Sequence, residues 1–350
     1  MIDIKSSMDE VLEKANKLLQ NYETLSSIKD IDIGTTPKDL VWEDGKVKLY
    51  HYKRESKPTC KTPILVVYAL VNRIEMLDLQ PGRSFISNLL EKGLDIYIID
   101  WGYPTRLDRY KTMSDYIFRH MGDCVDFVAK ENKVDKINLA GVCQGGTFCG
   151  IYAAVYPQKV KNLITMGAPF DFSTNDGLLF WWSRYMNVDA IVDNFGSVPG
   201  SFLNVGFEML KPFQKIDKYL NFIDYSDDEQ KMANFLRMEK WIYDSPAQAG
   251  ECYRQFLKDL YQNNKLIKGE LVVGGETIDL KKITMPVLTV YATYDHIVPP
   301  SASKPFNDYI GSKDKQYFEV NGGHIGMFVG SKAQKELAPA IAAWLHERDK

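Results

Sequence analysis

Apolar positions along this chain follow two rhythms. Near the amino terminus, Met8, Val11, Leu12, Ala15, Leu18, Leu19 and Tyr22 recur at helical spacing among charged and amide residues. That spacing predicts an amphipathic helical segment within residues 1–40, packed on its own domain or set against a partner surface. From about residue 47 the rhythm shortens to Val/Ile/Leu runs punctuated by turn residues. Strands are expected at 47–53, 64–68, 95–99, 137–140, 162–166, 287–291 and 317–320, and helices at 83–92, 113–131, 145–155 and 301–309. Near-continuous apolar strands alternating with helices imply an α/β class, with a mostly parallel, doubly wound sheet covered on both faces.

The alternation stops between about 174 and 270. There LLFWWSRYM, GFEMLKPF, FLRMEKW and CYRQFLKDLYQ concentrate aromatic residues and Met. An inserted helical cap over the carboxyl ends of the strands is expected, because ligands bind at that edge of open α/β sheets. An ordinary helical layer is the competing expectation. The organisation is thus an amino-terminal segment (1–40) and a catalytic domain (41–350) carrying a cap at about 174–270.

Composition narrows the function classes. With 350 residues, 45% hydrophobic and 25% charged, the chain is neither fibrous nor disordered and can bury a sizeable core. Its 43 basic and 46 acidic residues leave no electrostatic footprint for nucleic acid. No apolar run approaches the ~18 residues of a transmembrane helix. The opening residues also lack the apolar centre of a secretory signal, so a cytoplasmic location is expected. Five cysteines, Cys60, Cys124, Cys143, Cys149 and Cys252, are odd in number and scattered, as free thiols in a reducing compartment would be. Paired Cys/His ligand spacings and glycine-rich phosphate loops are absent, so neither a metal nor a nucleotide cofactor is expected.

One of the thiols stands in a distinctive setting. Ile137-Asn138-Leu139-Ala140 runs into Gly141-Val142-Cys143-Gln144-Gly145-Gly146 and then into a helical pattern. This strand–turn–helix is the layout of a nucleophile elbow, with Cys where hydrolases carry Ser. The turn needs small neighbours because its nucleophile occupies a strained conformation, and the following helix points its positive end at the site. In that layout the acid and the histidine follow the nucleophile in the chain. His51 and His120 precede Cys143, and His346 lies in a charged terminal turn expected in solvent. His324, in Asn321-Gly322-Gly323-His324, directly follows a strand and is the candidate base. Asp295 follows the preceding strand and is the candidate acid. Asp100, also after a strand, competes with it, and His296 is expected to fix its loop. Oxyanion donors are expected from the backbone N–H of Gln144 and, in the loop after 64–68, of Val71.

These residues lie in blocks that resemble the catalytic C subunit of class III polyhydroxyalkanoate synthases, enzymes of the α/β-hydrolase superfamily. The blocks are VVYALVNR, IYIIDWGYP, NLAGVCQGG, FLRMEKWIYDSPAQAGE, YATYDHIVPP and GGHIGMFV, in that order. The resemblance implies polymerisation of 3-hydroxyacyl-coenzyme A, expected to be short-chain 3-hydroxybutyryl-CoA, into polyester with release of coenzyme A. It matches Cys143 to the nucleophile that carries the chain, His324 to the base and Asp295 to the acid. It further implies an E-type (PhaE) companion subunit and association with polyester granules. Class IV membership, a homo-oligomer, a Cys-dependent ester hydrolase or depolymerase, and a non-catalytic scaffold remain open alternatives.

Overall fold

The computed structural model describes residues 12–17, 19, 28, 31–224 and 226–349. Eight strands form its central sheet: β1 (Lys38–Asp44), β2 (Val47–Tyr52), β3 (Ile64–Val67), β4 (Ile96–Asp100), β5 (Ile137–Val142), β6 (Val160–Met166), β7 (Val287–Ala292) and β8 (Lys315–Val320). They lie in the order β1-β2-β4-β3-β5-β6-β7-β8. Only the pairings made by β2 are antiparallel. All seven expected strands are present. β1 was not expected, because Lys38, Asp39, Glu43 and Asp44 break its apolar pattern; such charges suit an edge strand.

The strands are apolar along their length because the sheet is packed on both faces. In β3, Leu65 and Val67 enter one core and Ile64 and Val66 the other, and all four are buried. The second core is closed by α1 (Phe85–Glu91) and by the long carboxyl-terminal helix. Across the sheet, the first core is closed by α2 (Met121–Asn132), α3 (Gln144–Val155) and the helices between β6 and β7. The helix expected at 301–309 is split into Pro300–Ser303 and Phe306–Tyr309 by Pro305, which has no N–H to continue the ladder.

Between β6 and β7 the chain forms α4 (Leu178–Tyr185), α5 (Val188–Phe195), α6 (Gly200–Met209), α7 (Pro212–Asp224), α8 (Glu229–Tyr243) and α9 (Gly250–Gln255). The carboxyl-terminal helix is α10 (Ser331–Glu347). The insertion meets loops that leave the carboxyl ends of strands. Trp241 Nε1 donates to the Arg73 carbonyl after β3 at 2.8 Å, and Tyr103 after β4 donates to Asp244 at 2.8 Å. Ser197 donates to the Thr105 carbonyl at 2.8 Å.

Of the expected amino-terminal helix, 12–17 are helical, whereas Met8, Val11, Leu18 and Tyr22 lie outside the described residues. Within the described part, Leu12, Ala15 and Leu19 are exposed, and Lys14 reaches Asp224 at the end of α7.

Close backbone approach sets the tolerance of this scaffold. A Cβ on Gly145 would stand 2.2 Å from the Val67 carbonyl and 2.7 Å from that of Tyr68. Backbone atoms of a buried strand cannot yield, so Gly145→Ala is expected to cost about 3 kcal/mol in urea unfolding. Gly206→Ala on α6, where a Cβ meets nothing within 4 Å, is expected to gain about 0.5–1 kcal/mol from helix propensity in the same measurement.

Candidate active site

Cys143 sits between β5 and α3 at φ 53 and ψ −126, a conformation that L-residues avoid. It is held there from both sides. Its N–H donates to the Met166 carbonyl on β6 at 2.9 Å, and its carbonyl accepts from Gly146 N–H at 2.9 Å. The glycines of the motif are explained by distance: a Cβ on Gly141 would meet Gly146 Cα at 2.4 Å, and one on Gly146 would meet Ala168 Cβ at 2.4 Å. Cys143 is also the only cysteine that is not buried. Burial pushes the Cys60 thiol up to about 12 and raises those of Cys124, Cys149 and Cys252 as well, so these four stay protonated.

The loops after β7 and β8 bring a histidine and a carboxylate to this turn. His324 Nδ1 lies 2.6 Å from Asp295 Oδ2. The other oxygen, Asp295 Oδ1, accepts the N–H of Ile297 at 2.9 Å and of Val298 at 2.8 Å. Asp295 has no side-chain exposure, so both its oxygens are committed to protein donors. With Nδ1 on the carboxylate, Nε2 is the ring nitrogen left for Cys143. Burial alone would lower the imidazole's proton affinity. The charges of Asp295 and Cys143, and the hydrogen bond to Asp295, outweigh burial and hold the pKa well above its ordinary 6.5.

The other expectations separate cleanly. Asp100, the rival acid, is forked to Arg73 at 2.6 and 2.8 Å and accepts Gly102 N–H at 2.9 Å, so it is spent on fixing loops. His296 is near the pair, but burial, Lys211 and His324 lower its pKa, and it stays neutral. His51 bonds Asp95 at 2.7 Å, away from the site. His120 lies buried beside Asp44 on another part of the sheet. His346 is partly exposed in its terminal turn, with its Nε2 3.1 Å from the Lys92 carbonyl just past the end of α1.

Gln144 opens α3, where a backbone N–H has no intrahelical acceptor. Its side chain accepts the N–H of Leu70 at 3.1 Å, fastening the loop that carries Val71 to the elbow. Two phenols escaped the sequence reading. Tyr68 and Tyr261 are buried, which raises their pKa, and the charge of Cys143 raises it further. Tyr68 reads as the end of an apolar strand and Tyr261 as one aromatic among many in the insertion, so neither carries a local signal. Among the described residues there is no His/Cys/Asp/Glu cluster able to hold a metal, and no helix long and apolar enough to cross a membrane.

Comparison with known proteins adds the family. Residues 62–331 match a model of the alpha/beta hydrolase fold, and residues 6–89 match the amino-terminal model of poly-beta-hydroxybutyrate polymerase (PhaC). A poly(3-hydroxyalkanoate) polymerase subunit PhaC of Allochromatium vinosum is 49% identical, with 99% of each chain covered. Its counterpart from Synechocystis is 47% identical over 99% of this chain and 94% of its own. Among solved structures, a monoglyceride lipase from Saccharomyces cerevisiae superposes with a TM-score of 0.55 at 15% identity, covering 91% of this chain and 97% of that one; this likeness concerns the fold. With near half of its residues shared along its whole length, the chain belongs to the poly(3-hydroxyalkanoate) polymerase subunit PhaC family, built on the α/β-hydrolase fold.

Proposed function

We propose that this chain is the catalytic subunit of a class III polyester synthase that polymerises (R)-3-hydroxyacyl-CoA, with the growing acyl group carried on Cys143. The observation that carries the reading is a partly exposed cysteine on a strained elbow whose charge acts on a histidine that a buried carboxylate holds. In the first step Nε2 of His324 takes the Cys143 proton, and the sulfur attacks the thioester carbonyl. The N–H groups of Gln144 and Val71 receive the negative charge on the carbonyl oxygen. Coenzyme A leaves as a thiol, taking the proton from His324, and Cys143 holds a thioester.

The choice of sulfur follows from the energetics. Exchange of one thioester for another is nearly isoenergetic, so the acyl group on Cys143 stays activated. The 3-hydroxyl of an incoming acyl-CoA can then attack it and form an oxygen ester downhill. His324 takes the hydroxyl proton and returns it to the departing Cys143 sulfur, and the lengthened acyl-CoA reloads Cys143 by the first step. A serine ester would already have lost that activation. Water would end the chain by the same route, so a cap that excludes it is part of the reading. Exposed Trp181 and Tyr185 on α4 and Phe213 on α7 add apolar surface suited to a polyester granule or an E-type companion subunit. A short acyl chain, as in 3-hydroxybutyryl-CoA, is the expected substrate.

Asp295 acts through His324 in this reading. With Oδ1 on two amides, Oδ2 on the imidazole and the side chain fully buried, Asp295 is turned to the protein rather than to a substrate hydroxyl. Asp295→Asn is therefore expected to slow CoA release and chain elongation by the same factor, about 10²–10⁴. Single-turnover CoA release and polymer length measure the two steps, and normal acylation with failed elongation would overturn the assignment. The same variant removes the main influence that raises the imidazole. By NMR, His324 should titrate well above 6.5 in the natural chain and below it in Asp295→Asn, where burial prevails.

Cys143→Ala should form no acyl-enzyme with 3-hydroxybutyryl-CoA in intact-mass analysis and release no CoA above background. CoA or free acid produced by the natural chain without polymer would point to a hydrolase instead.

A further inference from the structure

The loop after β3 is fastened on both sides of Val71. On the near side, Leu70 N–H is held by the Gln144 side chain of the elbow at 3.1 Å. On the far side, Asn72 adopts φ 57, the left-handed region that Asn tolerates better than most residues. Its side-chain amide donates to Ser245 Oγ at 2.7 Å and to the Ile242 carbonyl at 3.1 Å. Ile242 lies in the last turn of α8, where a carbonyl has no partner within the helix. The same carbonyl accepts from Asn204 Nδ2 of α6 at 3.0 Å, and Ser245 Oγ donates to Asn204 Oδ1 at 2.7 Å. Trp241 adds its bond to the Arg73 carbonyl one residue further on.

We propose that Asn72 is a positioning residue for the Val71 amide: it ties the β3 loop to α6 and α8 of the insertion, so the oxyanion site is complete only while the insertion is seated. The inference rests on the assignment of Val71 as an oxyanion donor. Its physical content is a division of labour. One anchor of the loop belongs to the catalytic core and the other to the insertion, with the reacting amide between them. An insertion that shifts to admit substrate or to pass polymer carries the far anchor with it. The amide then loses its aim, although Cys143, His324 and Asp295, which the core alone holds, keep theirs. Acyl transfer is thereby restricted to the closed arrangement, in which water is excluded.

The test uses the full chain with 3-hydroxybutyryl-CoA. Asn72→Gly keeps the left-handed backbone accessible and removes only the side-chain bonds. Single-turnover CoA release should fall about 10- to 100-fold at saturating substrate, with KM changed less than about twofold. Ser245→Ala, which leaves the loop sequence untouched, should lower the same rate at least threefold. The double variant should be no slower than Asn72→Gly, because both cut one tie. Iodoacetamide should alkylate Cys143 in each variant at the rate of the natural chain, since the thiol and His324 are untouched. A natural rate of CoA release in either folded variant overturns the proposal. Effects that multiply, or alkylation that slows in step with CoA release, overturn it too. Failure of the proposed acyl-enzyme chemistry itself would appear separately, as CoA release retained by Cys143→Ala.

Discussion

The active centre depends on how closely the β5–α3 turn can be pressed against the backbone of β3. Glycine at 145 allows that approach, and glycines at 141 and 146 let the turn close on itself and on Ala168 after β6, since each Cβ would fall within 2.4 Å of another atom. The approach forces Cys143 into its positive-φ conformation, and β6 secures it through the Met166 carbonyl. A residue in so unfavourable a conformation costs of order 1–3 kcal/mol, which the buried sheet around it must offset. What the strain achieves is direction. The thiol is lifted off the strand end toward the loops after β7 and β8, and the first amide of α3 stays beside it.

The second layer of order is electrostatic. Asp295 is fully withdrawn from solvent, so its charge is screened little and acts mainly on the imidazole beside it. Two backbone amides satisfy the oxygen that His324 leaves, which keeps the buried carboxylate from being an uncompensated charge. Arg73 and Asp100 form a separate, similarly paired unit under the β3 loop. The site therefore contains two carboxylates with two different tasks, one aimed at the histidine and one at the scaffold.

Much of this was legible in the chain because it rests on local pattern. Seven strands announced themselves through apolar runs that two-sided burial demands, and the elbow through glycines that sterics demand. Cys143, Asp295 and His324 followed from position after strands and from chain order. What stayed hidden depends on partners distant in sequence. β1 is an edge strand whose charges mask its pairing, although the Asp44-Gly45 turn before β2 was a usable hairpin signal. The commitment of Asp100 to Arg73 needs two loops to meet, and so does the reach of Asn72 to Ser245 across 173 positions. His346 shows the same limit: a charged neighbourhood in sequence concealed a carbonyl partner brought from the end of α1.

The burial of four thiols out of five has a consequence for the life of the molecule outside its reaction. Cys60, Cys124, Cys149 and Cys252 are shut in as protonated groups, so a thiol-directed electrophile finds one cysteine to attack. Such damage is thus channelled onto the sulfur of the proposed acyl-enzyme, with no second exposed thiol to share it. An acyl chain carried there, as proposed, would protect that sulfur for as long as it is attached. On that proposal a chain at work would be chemically shielded, and an idle one exposed.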